Sequence, residues 1–354
     1  MKAYRWVIGF WAISRILLVG IVYFSLMWFP ADAGWDAYEN NNLLNGWLRW
    51  DAGWYRNIAD KGYISPELIK ADQQRNTAFF PAYPLLTRWL SGIIGDTYIA
   101  GLLIANVSFM VALLFLYKMI LDAHGVVIAR RTAALILLHP FSFFFNAMYT
   151  ESLFLLAVTL SFFFGERRKW FLAGLFVALA GCTRVLGVIV IPGLFVNHLE
   201  QISFRWRKFD PKILWVLIGL AGPLSYMIFL DIRYGNMFEF IAVQNDTDWR
   251  PDLWVLPGNL LEFLHLLIFI TLLCLCFITW FKCTRGEAFW ATLMSLASYS
   301  RWTSMGRLSI VIFPAYIAAA YLLKNKYLYY ILLAGCGVLL VYLTFRFALW
   351  HWVA

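Results

Sequence analysis

The chain of 354 residues is far more apolar than a water-soluble protein. Hydrophobic residues make up 62% of it, charged residues only 14%, and the mean hydropathy is +0.70. Soluble domains average about 45 to 50% apolar and about 25% charged residues. These values argue against a soluble enzyme, a nucleic-acid-binding module and a disordered protein. They indicate a protein that crosses a membrane many times.

Apolar runs that suit membrane-spanning helices recur along the whole chain. They predict an all-α membrane protein, a polytopic helical bundle of about 11 spans that forms one transmembrane domain over residues 1–354. The predicted spans are Trp6–Phe29, Tyr98–Leu121, Thr132–Phe145, Tyr149–Phe164, Trp170–Gly181, Val185–Asn197, Ile213–Leu230, Asn259–Phe281, Ala288–Ser300, Leu308–Leu323 and Tyr327–Trp350.

The formal net charge of +9 is explained by orientation in the membrane. Lysine and arginine concentrate on the cytoplasmic side of membrane proteins. With the N-terminus in the cytoplasm, the basic clusters 130–131, 167–169 and 205–208 all fall on that side. The basicity therefore requires no nucleic acid or other acidic partner.

Several predicted spans are shorter than the about 20 residues that a bilayer core requires. They are either partly re-entrant or border a deep water-filled cavity. Arg184 interrupts an apolar run, and an arginine at membrane depth costs about 2.5 to 3.5 kcal/mol on insertion scales and usually faces a cavity and a partner. Arg184 and, more weakly, Arg307 in a short external turn are therefore candidates for binding a phosphate. Arg15 is expected to extend toward the cytoplasmic face.

Cysteine and histidine show no pattern that indicates a metal site. The five cysteines lack zinc-type spacing, and the five histidines are scattered without a nucleophile or ligand pattern. The sequence also contains no glycine-rich phosphate loop, HExxH motif or GxSxG motif, which argues against nucleotide hydrolysis, zinc proteolysis and ordinary serine hydrolysis. We expect no metal and no cofactor.

One external segment, residues 30–97, is much longer than a connection between neighbouring helices requires. It contains LLNGWLRWDAGWYRNIADKGY, in which Asp51, Trp54, Tyr55 and Ile58 recur at helical spacing. One face of a helix would thus carry a carboxylate and two large aromatic rings. Such a helix either lies at the membrane interface with its rings at headgroup level, or forms part of an active site.

Other segments contain further candidates for a site. AFFPAYPLL contains Tyr83, and HPFSFFFNAMYTESLF contains Tyr149 and Glu151. Glu151 lies at the external start of a span, where a carboxylate either favours the helix N-terminus or has a functional role. The second external segment, residues 231–258, offers Gln244 and Trp249 as sugar contacts, although an ordinary solvated loop has the same composition.

Taken in order, RWDAGWYRNIADKGY, AFFPAYPLL, PFSFFFNAMYTESLF and the arginine of CTRVLG resemble the PIG-V family of mannosyltransferases. These enzymes act second in glycosylphosphatidylinositol assembly and have bacterial relatives. The resemblance is dense from Arg49 to Gly187. The family belongs to the GT-C class, whose polytopic members take sugar from a polyprenyl-phosphate carrier and place a catalytic acid in the first external loop. Asp51 occupies the matching position.

The resemblance implies an inverting transfer of mannose from a polyprenyl-phosphate donor to a hydroxyl of a lipid-linked or glycan acceptor. Asp51 would be the general base, Arg184 and Arg307 would bind the donor phosphate, and membrane lipids would surround the protein. A lipid phosphate is a competent leaving group, so no metal ion is expected. The residues expected to border the sugar or the acceptor are Trp54, Tyr55, Tyr83, Tyr149, Glu151, Gln244 and Trp249.

Two other functions are compatible with a polytopic chain. Broken spans and intramembrane arginines also occur in transporters and lipid flippases, although the paired inverted repeats typical of them are not evident here. A noncatalytic subunit of a glycan-assembly complex would use the external segment for docking. Short length and sparse loops favour a bacterial cytoplasmic membrane over the endoplasmic reticulum, with the site on the extracytoplasmic side.

Overall fold

The structure is a computed structural model that describes residues 2–32, 34, 36, 38, 41–68, 74–246, 259–299 and 304–353. Within these ranges the regular structure is entirely helical, which confirms the all-α class. The α-helices are α1 (Lys2–Trp28), α2 (Asn42–Asn45), α3 (Ala52–Lys61), α4 (Ala82–Ile94), α5 (Thr97–Leu137), α6 (Glu151–Glu166), α7 (Trp170–Thr183), α8 (Val190–Gln201), α9 (Ala221–Tyr234), α10 (Glu239–Asp246), α11 (Leu260–Lys282), α12 (Arg285–Ser298), α13 (Met305–Ser309), α14 (Phe313–Leu322) and α15 (Lys326–Ala348).

Short 3₁₀ segments connect or extend several of these helices. The longest of them in the described ranges, Pro211–Leu220, leads directly into α9. Such tighter turns are common at helix ends and between helices. The others are Pro66–Leu68, Asn76–Ala78, Ser142–Phe145, Val185–Ile189 and Trp206–Lys208.

Some helical stretches are long and apolar enough to cross a membrane. In the described part of the chain there are five of these, Tyr4–Trp28, Thr97–Leu137, Pro211–Tyr234, Leu260–Lys282 and Lys326–Ala348. Shorter apolar stretches cover Trp170–Thr183, Val185–Gln201 and Phe313–Leu322. The chain is therefore a multi-pass membrane protein, while the count of about 11 spans stays a prediction.

The predicted spans Tyr98–Leu121 and Thr132–Phe145 are joined in α5, which bends sharply at Gly125. Gly125 has a φ of 81°, in the left-handed region that glycine adopts without steric cost. The second half of α5 ends at Leu137 rather than at Phe145. Pro140 follows shortly afterwards, and because proline lacks an amide hydrogen it does not continue a helix.

Close packing fixes the position of α7. A side-chain carbon added at Gly174 would overlap the carbonyl oxygen of Trp215, and one added at Gly222 would overlap that of Ala178. Small residues at helix interfaces allow two backbones to approach this closely. The end of α7, where Arg184 follows, is thereby held against residues 211–222.

Arg15 corrects one prediction from the sequence. Its side chain does not extend to the cytoplasmic face but is buried, and it donates hydrogen bonds to Oδ1 of Asn146 at 2.7 Å and to the carbonyl of Ser142 at 3.3 Å. The ring of Phe109 lies 5.1 Å from its guanidinium carbon. An arginine inside a membrane protein is stable when such acceptors surround it.

Candidate active site

Asp51 lies immediately before α3, at the position where an aspartate commonly caps a helix. Its carboxylate makes no capping hydrogen bond. Instead, Oδ2 lies 2.5 Å from Nη1 of Arg307 on α13, a residue more than 250 positions away along the chain. The acidic group is therefore directed away from its own helix and toward a distant cation.

Tyr149 fixes the backbone on which Asp51 lies. The amide of Asp51 donates to the hydroxyl of Tyr149 at 3.2 Å, and that hydroxyl donates to the carbonyl of Arg49 at 3.2 Å. Tyr149 is buried, and its ring centre lies 5.6 Å from the guanidinium carbon of Arg307. One side chain thus contacts both the turn that holds Asp51 and the arginine that pairs with it.

Glu151 connects two arginines. It is the first residue of α6, and its Oε1 forms an ion pair with Arg184 and lies 3.5 Å from Nε of Arg307. Arg184 has extended backbone geometry directly after α7, and its Nε donates to Oγ1 of Thr150 at 2.9 Å. Asp51, Arg307, Glu151 and Arg184 therefore form an alternating row of negative and positive groups, which we call the charged row.

Charge balance explains how the charged row is stable inside the protein. Two carboxylates oppose two guanidinium groups, and buried charges persist only when they are paired in this way. Burial by itself lowers the pKa of Arg307, but the carboxylates of Asp51 and Glu151 more than offset this and raise that pKa above its ordinary value. Arg307 therefore carries its charge at any physiological pH.

The two acids of the charged row differ in accessibility. The Asp51 side chain is 21% exposed, whereas that of Glu151 is 0% exposed. Among the described residues, Oε2 of Glu151 has no hydrogen-bond partner. Asp51 is therefore the carboxylate that an incoming molecule reaches, and Glu151 is the fixed counter-ion of both arginines.

Aromatic side chains line the region beside the charged row. Tyr55 is buried and packs edge-on against Phe79, Tyr83 and Tyr149, at ring-centre distances of 5.2, 5.3 and 6.3 Å. Burial raises the pKa of Tyr55 above its ordinary value, so its hydroxyl stays protonated. A ring enclosed in this way does not lie at the lipid headgroups, so the structure does not support the interfacial interpretation for Tyr55.

The remaining predicted contacts lie farther from the charged row or outside the described residues. Trp54 is partly exposed and stacks on Phe79, with ring centres 5.9 Å apart. Tyr83 is buried and donates to the carbonyl of Gly101 at 2.8 Å. Gln244 is buried on α10, and Trp249 lies outside the described residues.

Two residues that the sequence did not indicate are adjacent to this group. Arg49 is buried and donates through Nε to the carbonyl of Ala348 at 3.0 Å. His265 is buried on α11 and accepts a hydrogen bond from the amide of Gly306, next to Arg307. Arg49 also forms an ion pair with Asp36 at 2.7 Å. The contacts with Ala348 and Gly306 are made by backbone groups, which have no sequence signature, so spacing along the chain could not identify them.

A cavity of about 240 Å³ lies on the face of α3 opposite Tyr55 and Ile58. A helix places residues three and four apart on one face, so Gly53, Arg56 and Asn57 lie together there. The lining includes side chains of both signs of charge. The lining residues are Gly53, Arg56, Asn57, Asp60, Lys61 and Tyr98.

About half of the chain matches a known protein family. Residues 31–205 match the family model described as Mannosyltransferase (PIG-V). This range contains Asp51, Glu151 and Arg184, while Arg307 lies beyond it. The resemblance to the PIG-V mannosyltransferases is confirmed.

Over 211 residues, the chain is 29% identical to the GPI alpha-1,6-mannosyltransferase 2 of Rattus norvegicus. The aligned region is 56% of this chain and 41% of the rat protein. The chain thus matches less than half the length of the rat protein.

Solved structures with a similar fold include ArnT and an oligosaccharyltransferase. ArnT of Cupriavidus metallidurans in its apo state superimposes with a TM-score of 0.56 at 16% identity, covering 97% of this chain and 63% of ArnT. ArnT bound to undecaprenyl phosphate gives 0.59 at 14% identity, covering 94% and 63%. The oligosaccharyltransferase of Archaeoglobus fulgidus gives 0.54 at 12% identity, covering 97% and 55%. These similarities confirm a helical membrane fold of the GT-C type.

Proposed function

We propose that this chain is a membrane mannosyltransferase that takes its sugar from a polyprenyl-phosphate carrier and transfers it to a hydroxyl of a lipid-linked or glycan acceptor. The observation that carries the proposal is the partly exposed Asp51 carboxylate, 2.5 Å from Arg307 in a charged row of alternating sign. The PIG-V match supports mannose as the sugar. The similarity to an ArnT structure that holds undecaprenyl phosphate supports the lipid carrier.

In this proposal Asp51 is the general base. The acceptor oxygen attacks the anomeric carbon of the lipid-linked sugar from the face opposite the phosphate, the bond from that carbon to the phosphate oxygen breaks, and Asp51 takes the acceptor proton. The configuration at the anomeric carbon inverts. A positioned carboxylate in this role typically contributes about 10² to 10⁴-fold to the rate.

The arginines stabilise the departing phosphate. As the bond breaks, the polyprenyl phosphate gains one negative charge, while the Asp51 carboxylate loses one by accepting a proton. Arg307 therefore exchanges one anionic partner for another, and the net charge of the site does not change. This exchange costs little in a region of low dielectric constant, where an uncompensated charge would be very unfavourable.

Glu151 and Arg184 complete the phosphate site. The buried Glu151 keeps two guanidinium groups close together, a distance that mutual repulsion would otherwise increase. A guanidinium can donate two parallel hydrogen bonds to a phosphate, which suits Arg184 and Arg307 to this role. The second oxygen of Glu151 is buried and has no hydrogen-bond partner among the described residues, so in this proposal Glu151 acts on the substrates through the two arginines.

The other predicted contacts contribute to the sugar and acceptor sites in this proposal. Tyr55 and Tyr149 border the charged row. Tyr83 packs directly against Tyr55, and Trp54 stacks on Phe79, which itself packs against Tyr55. Aromatic rings provide apolar faces for sugars and isoprenoid chains. Gln244 and Trp249 remain predicted contacts. The site faces the extracytoplasmic side, as the distribution of basic residues predicts.

The proposal is tested with the purified chain reconstituted in liposomes. The donor is a polyprenyl phosphate that carries radiolabelled mannose, and a bacterial lipid extract supplies the acceptor. We expect a labelled glycolipid and free polyprenyl phosphate in equal amounts, and much less product from the matching glucose donor. Movement of the intact donor between leaflets without cleavage would instead identify a flippase, and an absence of both activities would contradict catalysis by this chain.

A further inference from the structure

Residues 348–353, which end α15 and follow it, contact the turn that precedes Asp51; we call them the brace. The carbonyl of Ala348 accepts the Nε hydrogen of Arg49 at 3.0 Å, and the guanidinium carbon of Arg49 lies 4.8 Å from the centre of the Trp350 ring. Trp50 packs edge-on against Trp350 and Trp352, at 5.4 and 5.1 Å. The two residues immediately before Asp51 are thus both held by the brace.

Val353, at the other end of the brace, is connected through His265 to Gly306, the residue before Arg307. The amide of Gly306 lies 2.9 Å from Nδ1 of His265, and Nε2 lies 3.2 Å from the carbonyl of Val353. An amide can only donate, so Nδ1 is the acceptor and the ring proton resides on Nε2, which donates to Val353. His265 is 1% exposed, so no bulk water replaces either bond.

We propose that the brace holds Asp51 and Arg307 at a fixed separation, and that His265 is the positioning residue on the Arg307 side. Arg49 and Trp50 connect the brace to Asp51, and His265 connects it to Gly306. This inference rests on the proposed function, because the pair it positions is the proposed base and phosphate contact. His265 touches neither substrate in this account; it acts only through Gly306.

The side chains around Gly306 leave its backbone little room to move. A side-chain carbon at Gly306 would overlap the ring of Phe141, whose centre lies 5.3 Å from that of His265. The backbone of α13 is therefore enclosed by Phe141 and His265, and the hydrogen bond to Nδ1 fixes its first turn. Because α13 is only five residues long, a shift of its first turn moves Arg307 directly. A displacement of about 1 Å at a reacting centre can cost about 100-fold in rate.

The test compares His265→Ala with His265→Asn in the full-length purified protein. Asparagine places Oδ1 close to the position of Nδ1, so it can accept the Gly306 hydrogen bond, whereas alanine cannot. The probe is polyprenyl phosphate without a sugar. We expect His265→Ala to bind it about tenfold more weakly and His265→Asn to recover most of the loss. His124→Ala is the matched control, since His124 bonds Tyr321 far from the charged row and should bind the probe normally.

Hydrogen exchange of residues 304–309 provides a readout that does not depend on any ligand. We expect faster exchange at Gly306 in His265→Ala and recovery in His265→Asn, with similar melting temperatures for the two variants. The proposal is overturned if the folded alanine variant binds and exchanges like the wild type, or if both variants are equally impaired. If the wild type fails to bind polyprenyl phosphate, the proposed function is wrong, and the exchange measurement alone then decides on the brace.

Discussion

An aspartate immediately precedes each of the helices α3 and α5, and the two carboxylates have different partners. Asp96 precedes α5, and its Oδ1 accepts a hydrogen bond from the amide of Ile99 at 2.9 Å, as a capping residue should. Asp51 precedes α3 but has helical backbone angles, with φ −59° and ψ −19°; it makes no such bond, and its carboxylate pairs with Arg307. The same residue type thus caps a helix in one place and pairs with a distant arginine in the other.

In the proposed function, this difference separates the general base from a structural carboxylate. A capping bond satisfies an amide that has no partner within the helix, so a protein that forgoes it loses about 1 kcal/mol of local stability. At Asp51 the protein forgoes that stabilisation and places the carboxylate beside a cation instead. Substitutions of the two aspartates and of two other members of the charged row test this distinction, and they are given in order of decreasing effect.

The largest effect is expected for Asp51→Asn. The amide cannot accept a proton from the acceptor, so transfer should fall by about 10² to 10⁴-fold. The melting temperature should fall only slightly, because the ion pair with Arg307 is lost but Glu151 remains beside that arginine and no capping bond is lost. Initial rates with saturating donor, together with thermal unfolding, give both values. Normal turnover by this variant would remove Asp51 from the role of base.

Glu151→Gln should have the next largest effect. The neutral amide leaves Arg184 and Arg307 without their shared counter-ion, so the guanidinium groups should move apart and kcat/KM for the donor should fall by about 100-fold. The melting temperature should also decrease. Glu200→Gln is the control, because Glu200 is half exposed and pairs with Arg285 at 3.9 Å, away from the charged row. Equal effects of the two changes would contradict a special role for Glu151.

Arg184→Lys should have a moderate effect. Lysine keeps the positive charge but cannot reproduce the forked contacts with Thr150 and Glu151. We expect polyprenyl phosphate to bind about tenfold more weakly, with a smaller change in the rate at saturation. Titration of the probe into the purified variant measures this. An unchanged affinity would exclude Arg184 from the phosphate site.

Asp96→Ala should have the smallest effect on activity and should act on stability. It removes the cap of α5 and the acceptor of the Tyr38 hydroxyl, which lies 2.6 Å from Oδ1. Loss of the cap should cost about 1 kcal/mol of unfolding free energy. We therefore expect chemical denaturation to show lower stability and the transfer assay to show nearly normal activity, which is the reverse of the result for Asp51→Asn. A collapse of activity without destabilisation would refute the contrast between the two aspartates.

The sequence indicated most members of the site but not their arrangement. Asp51, Glu151 and Arg184 were singled out because charged residues are rare in such an apolar chain and lie within recognisable motifs. Nothing in the spacing indicated that Asp51 and Arg307 would pair across more than 250 residues. Such contacts depend on how the helices pack together.

The sequence likewise predicted the long helices of the fold but not how they bend or pack. Apolar runs gave the positions of the long helices, whereas the bend of α5 depends on the backbone of Gly125. The prediction for Arg15 was wrong because the sequence does not show that Asn146 lies beside it. His265 was missed for a related reason, since both of its hydrogen-bond partners are backbone groups.

The tight contact at Gly174 has a consequence for inherited variation in this protein. Gly174 lies about 15 Å along the helix axis from Arg184, at 1.5 Å per residue. A methyl group at Gly174 would push α7 away from Trp215, and a rigid helix would carry that displacement to its end. Alleles at this buried contact between helices should therefore produce normal amounts of a poorly active protein, although the altered residue never meets a substrate.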